Sequence, residues 1–155
     1  MPEPTFVDRE AFTVLGLQEH FMPETGDFEG IWKRFMAYHD QIAAHSTDGA
    51  YYGVAFAPAE GEGMDYFAGM AVPEGTPCPE VLTIRVVEAA HYAVFECTVA
   101  TISATCSFIH GEWLPGSGYV HLCPRPDFEF YPPGTDAADS PVLIHIPVRR
   151  HEPSS

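Results

Sequence analysis

The stretch from Gly111 to Tyr131 reads GEWLPGSGYVHLCPRPDFEFY and ends in the alternating run Phe128-Glu129-Phe130-Tyr131. Successive side chains of a β-strand point to opposite faces, so Phe128 and Phe130 share one face while Glu129 and Tyr131 share the other. The prolines and glycines just before this run predict a loop and not a helix. The sequence therefore predicts a strand that sets one carboxylate beside a phenol among aromatic side chains.

The elements outside this stretch follow one order twice, on either side of the proline-rich segment 73–79. Apolar side chains at three- and four-residue steps predict one helix over 28–44, and a second helix is predicted over 100–112. Alternating and β-rich runs predict the strands, the first of them long or bulged and at a sheet edge. The predicted strands cover residues 5–17, 51–57, 64–72, 81–88, 91–99, 119–122, 128–131 and 142–149.

Each half of the chain can pair its strands antiparallel around one helix. We therefore expect an α+β fold in which a single domain, residues 1–155, consists of two pseudo-symmetric βαββ units. The first unit covers about residues 5–72, a linker covers 73–79, and the second unit covers about 80–149. Pockets favour boundaries between packed units, so the groove between the two units is the expected ligand site.

The chain is strongly acidic, with 22 Asp and Glu against 7 Lys and Arg and a formal net charge of −15 over 155 residues. Such a surface repels nucleic-acid phosphates, so direct nucleic-acid binding is not expected. Hydrophobic residues make up 46% of the chain, which is enough for a core, yet no run reaches the apolar length that spans a membrane. With no signal peptide at the N-terminus, the chain is expected to be cytoplasmic and, from its broad charge excess, monomeric.

Cysteines and histidines do not form a recognisable metal or redox motif in the sequence. Cys78, Cys97, Cys106 and Cys123 include no CxxC pair, and the eight histidines show no HxH or HxxxH spacing. We therefore predict no metal site and no cofactor. The serines lack the context of a nucleophile elbow, so no serine triad is expected either.

Several motifs resemble the GyrI-like small-molecule-binding domain, which is also the effector-binding part of some AraC-type and MerR-type regulators. The family's order is Y-A-V-F, a helix, W-L-P-x-S-G-Y, F-E-x-Y and I-x-I-P-V. The matching runs are Tyr92 to Phe95, Trp113 to Tyr119, Phe128 to Tyr131 and Ile144 to Val148. The resemblance covers nearly the whole chain and is specific in the second half. Because the chain has no room for a helix-turn-helix, it resembles the stand-alone members of the family.

This resemblance implies two SHS2-type βαββ units with a hydrophobic groove between them and an acidic residue at the groove floor that meets cationic or lipophilic ligands. The acidic position of F-E-x-Y is Glu129. Tyr131 is expected beside it, to hydrogen-bond the carboxylate or to stack on a ligand. The other candidate ligand-binding residues are Trp113, Tyr92, Phe95, Tyr66, Phe56 and Trp32. Each of these can instead belong to the core, and strand alternation places Tyr92 and Phe95 on opposite faces.

Three functions are compatible with such a site. The first is binding of lipophilic, cationic organic compounds, in which a desolvated Glu129 supplies the charge. The second is an enzyme that hydrolyses strained, cyclopropanoid toxins in the same groove, with Glu129 and Tyr131 as its catalytic residues. The third is an interaction protein that acts on a partner such as DNA gyrase through its acidic surface. The first two need the same carboxylate and aromatic groups, so the sequence separates them poorly; binding is favoured.

Overall fold

The computed structural model describes residues 3–22, 28–57, 61–122, 125–133 and 140–150. The strands are β1 (Thr5–Arg9), β2 (Phe12–Phe21), β3 (Tyr51–Phe56), β4 (Met64–Val72), β5 (Thr83–Val87), β6 (Ala90–Thr98), β7 (Tyr119–His121), β8 (Asp127–Tyr131) and β9 (Pro141–Arg150). The helical segments are α1 (Phe28–Met36), α2 (His39–Ala43), a 3-10 turn (Val99–Thr101), α3 (Ile102–Phe108), a π-helical turn (Ile109–Trp113) and α4 (Leu114–Ser117).

The sheet is antiparallel throughout and repeats one strand order about its centre. Its main path runs β1-β6-β9-β8-β3-β4-β2-β5, and β7 pairs with the end of β9. Outward from the central β8–β3 pair, the order is β8-β9-β6 on one side and β3-β4-β2 on the other. Each side is therefore one strand–helix–strand–strand segment, β2 to β4 on one side and β6 to β9 on the other, where the second segment carries the short β7 as an addition. The predicted α+β class with an antiparallel sheet is confirmed.

The outermost strands are exchanged between the two halves. β1 pairs with β6, and β5 pairs with β2. The prediction of one edge strand over residues 5–17 is therefore wrong. The strand is interrupted between Arg9 and Phe12, and the second part, β2, is an inner strand of the sheet. The expectation that all strands of a half pair with one another is wrong for β1 and β5. Alternation identifies a strand but does not name its partner, which here comes from the other half of the sequence.

The sheet curls around an apolar inner face. The rings of Phe12 on β2 and Phe128 on β8 lie 5.6 Å apart, although β4 and β3 separate their strands in the sheet order. Tyr52, Phe67 and Tyr92 are buried in the same cluster. Burial of these large rings removes a large apolar area from water and is the main stabilising contribution of this face.

The helices cover the outer face of the sheet in two separate groups. Ile31 and Phe35 of α1 and Ile42 of α2 are fully buried against β2 and β4, as the three- and four-residue spacing predicts. The predicted helix over 28–44 is interrupted after Met36, so it forms two shorter helices. Ile109, beyond α3, is buried with Phe95 against β6 and β9. A cleft remains between the two helix groups, over part of β3 and β8.

The second helical region is longer than predicted. Helical backbone continues from the 3-10 turn to Ser117, so the predicted loop at Leu114–Ser117 is wrong. Pro115 is the second residue of α4 and follows the π-helical turn directly. Gly118, with φ of +80°, ends the helix in the left-handed conformation that glycine adopts without steric cost. Residues 58–60 of the predicted strand connection, and Cys123, lie outside the described residues.

Candidate functional site

A cavity of about 530 Å³ opens on the outer face of the sheet, between the two helix groups. Phe28 and Trp32 of α1 form one wall, and Ile102 and Cys106 of α3 form the other. The floor consists of β3, β4, β8 and β9. A mostly apolar cleft of this volume is typical of sites that take small organic molecules. The cavity lies where the two βαββ segments meet, which is where the groove was expected.

Glu129 lies at the centre of the floor because of strand alternation and register. Asp127, Glu129 and Tyr131 share the outer face of β8, while Phe128 and Phe130 point into the inner cluster. Glu129 is paired with Gly53 of β3 across the seam between the two segments. A Cβ atom on residue 53 would lie 2.2 Å from Tyr66 Oη and 2.8 Å from Glu129 Oε1. Only glycine leaves room for these two side chains to meet above the strand.

Three aromatic side chains hold the carboxylate through one chain of hydrogen bonds. Trp32 Nε1 donates to Tyr66 Oη at 3.1 Å, and Tyr66 Oη donates to Glu129 Oε1 at 3.1 Å. Tyr131 Oη donates to the same Oε1 at 2.7 Å. Tyr66 is only 2% exposed and packs edge-on against Phe28, so its hydroxyl position is well determined by packing. Among the described residues, no side chain donates to Glu129 Oε2.

Burial controls the electrostatics of this group. Burial raises the pKa of Glu129, although the hydrogen bonds from Tyr131 and Tyr66 partly oppose the shift. Burial, and then the nearby carboxylate, raise the pKa of Tyr66 and of Tyr131 well above the ordinary tyrosine value, so both phenols are neutral donors. None of the ion pairs in the described ranges involves Glu129. Its negative charge therefore has no cationic partner in that part of the chain.

A second carboxylate, Asp127, lines the same cavity and is held by two histidines. His121 Nε2 on β7 lies 2.5 Å from Asp127 Oδ1, and His110 Nε2 in the π-helical turn lies 3.6 Å from Oδ2. Burial raises the pKa of Asp127, but its interactions with the two histidines outweigh burial and hold the pKa below the ordinary value. The hydrogen bond to Asp127 in turn raises the pKa of His121. Glu129 and Asp127 are therefore tuned in opposite directions.

The family model of the GyrI-like small molecule binding domain matches residues 2–149 of this chain. The chain belongs to the GyrI-like family. Among curated proteins it is similar to the transcriptional regulator BrlR of Pseudomonas aeruginosa, with 34% identity over 150 residues. That match covers 92% of this chain and 54% of BrlR, so the chain spans about half the length of the curated relative it matches.

Solved structures share the fold of this GyrI-like chain. SAV2435 bound to tetraphenylphosphonium has a TM-score of 0.79 at 18% identity, over 95% of this chain and 94% of that one. The C-terminal domain of EcmrR has a TM-score of 0.71 at 15% identity, over 97% and 99%. A more distant neighbour, a hydrolase from Listeria innocua, has a TM-score of 0.59 at 7% identity, over 95% and 92%. At these identities the likeness establishes the fold.

Four of the sequence-predicted site residues come together in the GyrI-like pocket. Glu129, Tyr131, Tyr66 and Trp32 all line the cavity and share the hydrogen-bond chain described above. The hydrogen bond expected between Tyr131 and Glu129 is present. Trp32 also packs edge-on against Tyr131, at 5.4 Å between ring centroids. The role of these residues in ligand binding remains a prediction.

The other four candidates do not line the pocket, and their placement there is corrected. Tyr92 and Phe56 are buried on the inner face, behind the strands that form the floor. Phe95 lies on the outer face but is covered by Trp113, with ring centroids 5.0 Å apart. Trp113 also stacks on Tyr119 at 6.0 Å, so it anchors the helical region to β6 and β7. Motif position alone could not separate a groove wall from the packing beneath the second helix.

Sequence reasoning missed three features of the site. Asp127 is two residues before Glu129 and shares its face by the same alternation that identified Glu129. Gly53 gave no local signal, because its role depends on the register between β3 and β8. The contact of His110 and His121 with Asp127 depends on the π-helical turn, which has no clear sequence signature, and on the pairing of β7 with β9, which its own sequence does not show.

Across the described ranges, no group of three or more His, Cys, Asp or Glu side chains is arranged to hold a metal ion. In the same ranges, every helix is too short or too polar to cross a lipid bilayer.

Proposed function

We propose that the pocket binds lipophilic organic cations and that Glu129 supplies the charge that selects them. The observation that carries the proposal is a carboxylate on the floor of an apolar cavity, held by two phenols on one oxygen and without a cationic partner among the described residues. SAV2435 binds tetraphenylphosphonium, which is a lipophilic cation, and this supports the same ligand class. A cytoplasmic location for this activity is part of the proposal.

The desolvation of Glu129 is what makes a cation preferable to a neutral ligand. An ionised carboxylate in an apolar site is costly when unpaired, which is why its pKa rises. A lipophilic cation restores the missing counter-charge at little desolvation cost of its own. At an effective dielectric constant of about 20, unit charges about 4 Å apart attract by about 4 kcal/mol. Part of this attraction is offset by the remaining desolvation, so we expect about ten- to hundredfold in affinity.

The aromatic walls supply the apolar area and favour the same charge. Phe28, Trp32 and Tyr131 all line the cavity. The faces of such rings attract cations by about 0.5–2 kcal/mol each when water is excluded. The ligand class is therefore a compact organic cation whose charge is surrounded by apolar groups and not a hydrated ammonium ion.

The direct test is calorimetric titration of tetraphenylphosphonium, with triphenylphosphine oxide as a neutral compound of similar shape. We expect the cation to bind more tightly, and Glu129→Gln to weaken it ten- to hundredfold while leaving the neutral compound little changed. Glu80→Gln removes the same charge from an exposed position outside the pocket and serves as the matched control. Equal affinity of wild type and Glu129→Gln for the cation would refute the charge role.

Proton release gives a second and independent readout. Because the pKa of Glu129 is raised in the free protein, a bound cation must lower it again, and protons leave the site on binding. Cation affinity should therefore rise with pH until Glu129 is ionised in the free protein and then level off. Titrations in buffers of different ionisation enthalpy measure the released protons. Glu129→Gln should release none.

Hydrolysis of a strained electrophile in the same pocket is the second candidate function. The observation that favours it is the raised pKa of Glu129 beside the hydroxyl of Tyr131, since a carboxyl group whose pKa is raised can act as a general acid or base. A hydrolase among the structural neighbours is compatible with it. The test is incubation with cyclopropane-containing electrophiles, followed by mass spectrometry of the compounds. A product that is heavier by one water and that Glu129→Gln does not form identifies an enzyme. Unchanged compound identifies a binding protein.

The monomeric state and an interaction with a partner such as DNA gyrase remain predictions from the acidic sequence. Sedimentation of the purified protein tests the first. A supercoiling assay with added protein tests the second, and an unchanged supercoiling rate would remove gyrase from consideration.

A further inference from the structure

The pocket contains a second acidic group that the proposed function does not use. Asp127 and Glu129 lie on the same face of β8 and both line the cavity. Two residues along a strand span about 7 Å, so the two carboxylate side chains begin about 7 Å apart. This spacing is similar to that of two charged groups at opposite ends of a rigid aromatic molecule. Glu129 is held by neutral phenols, whereas Asp127 is held by two groups that can carry positive charge, His110 and His121.

The histidines determine how much charge Asp127 presents to the cavity. The pKa of Asp127 lies below its ordinary value, so this carboxylate stays ionised over the range in which histidines titrate. With His121 protonated, the pair is close to neutral. With His121 neutral, the same hydrogen bond remains but the pair carries one negative charge. His121 and His110 are both partly exposed, so protons reach them from solvent without passing the pocket.

We propose that Asp127 is a second cation subsite of this pocket, whose charge His121 controls, so that the pocket discriminates dications from monocations. The inference rests on the proposed function, because it assumes that cations enter the cavity. The ligand class is a rigid aromatic molecule with two positive centres, one over Glu129 and the other at Asp127. Selection for the second charge increases as His121 loses its proton.

Other titratable and charged groups around Asp127 do not alter this comparison. They are Glu29 of α1, Cys106 of α3, Tyr66 of β4, Glu129 and Tyr131 of β8, and Arg125 just before β8. The guanidinium of Arg125 donates to the Ala89 carbonyl. Burial raises the pKa of Cys106 to about 12, so it stays neutral over the relevant range. Glu129 acts on the first positive centre of either ligand, so its titration cancels in the ratio of the two affinities.

The test compares two probes of the same shape, methyl viologen as the dication and N-methyl-4-phenylpyridinium as the monocation. Affinities of the full chain are measured at about pH 8.5 and about pH 5.5, on either side of the histidine titration. At the higher pH we expect the dication to bind at least about tenfold more tightly than the monocation. At the lower pH we expect the two affinities to be equal. Asp127→Asn should weaken dication binding about tenfold more than monocation binding. His121→Gln should keep much of the preference at the lower pH.

The outcomes separate this inference from the function on which it rests. If neither probe nor tetraphenylphosphonium binds, the cation-binding function itself is wrong. If both probes bind with equal affinity at both pH values and Asp127→Asn weakens them equally, cations bind but Asp127 is not a second subsite. If Asp127→Asn does not fold, the pH profile of His121→Gln decides, because a preference that follows pH as in wild type would overturn the role of the histidine.

Discussion

Replacing Gly53 by alanine should destabilise the protein and weaken binding in the pocket, because the added methyl group lies in the pocket floor. Gly53 lies on β3 under the hydrogen bond between Tyr66 and Glu129, with a Cβ position 2.2 Å from Tyr66 Oη and 2.8 Å from Glu129 Oε1. Ordinary carbon–oxygen contacts are more than about 3.3 Å, so the hydroxyl must move by about 1 Å. Phe28 and Phe21 pack on the Tyr66 ring and resist that movement.

The cost follows from the bonds that the displaced hydroxyl makes. Tyr66 donates to the carboxylate and accepts from Trp32. A hydrogen bond to a charged group contributes about 1.5–3 kcal/mol and a neutral one about 1 kcal/mol. We therefore expect Gly53→Ala to lower the free energy of unfolding by about 2–4 kcal/mol and to weaken cation binding at least tenfold. Urea denaturation and calorimetric titration measure the two effects.

A matched control and a rescue make this prediction specific. Gly111 lies in the π-helical turn, where an added Cβ would meet nothing within 4 Å. Gly111→Ala should therefore not destabilise the protein and should gain up to about 1 kcal/mol from the higher helix propensity of alanine. Tyr66→Phe removes the atom that the methyl group strikes. The double variant with Gly53→Ala should therefore be more stable, by about 1–2 kcal/mol in unfolding free energy, than the sum of the two single effects predicts. Additive effects of the two substitutions, or a Gly53→Ala protein as stable as Gly111→Ala, would show that the steric reasoning is wrong.

Three further substitutions test other parts of the molecule. Burial lowers the pKa of His145 from 6.5 to about 4, so the folded state binds fewer protons than the unfolded chain in this pH range. About 3 kcal/mol of unfolding free energy is therefore lost as the pH falls from 6.5 to about 4. His145→Phe keeps a ring against Phe128 and should remove that loss, which urea denaturation at pH 7 and pH 4 measures. The raised pKa of Glu129 gives the opposite pH dependence, because stability is lost as the pH rises above the ordinary glutamate pKa. Glu129→Gln should therefore have a higher melting temperature than wild type at neutral pH while binding cations less well. A lower melting temperature would contradict this. Thr98 and Thr101 form a capping box at the start of the second helical region, so Thr98→Ala should cost about 1 kcal/mol in thermal denaturation, and an unchanged transition would argue against the cap.

The local part of the site could be predicted because it depends on a period of two. Glu129 and Tyr131 share a face in any strand that contains them, and so does Asp127. The three- and four-residue spacing of Ile31, Phe35 and Ile42 likewise determined the buried side of the first helical region. These inferences need no partner element, since the backbone geometry of a strand or helix sets them by itself.

The rest of the site could not be predicted because it depends on partners far away in the sequence. Tyr66 meets Glu129 across 63 residues, and Trp32 meets Tyr66 across 34. Phe95 and Trp113 lie in family motifs of their own, as Glu129 does, and still pack under the helical region. Motif position shows that a residue matters to the family but does not show which face of the sheet it occupies.

The sequence by itself determined the α+β class, the pairing of a carboxylate with a phenol on one strand face, and the acidic character of the surface, because each depends on composition or on the geometry of a single element. Only the tertiary structure decided that β1 and β5 exchange sides, that Gly53 opens the floor under Glu129, and that two histidines hold Asp127. These features depend on strand partners and register, which form only when the sheet curls and buries its inner face.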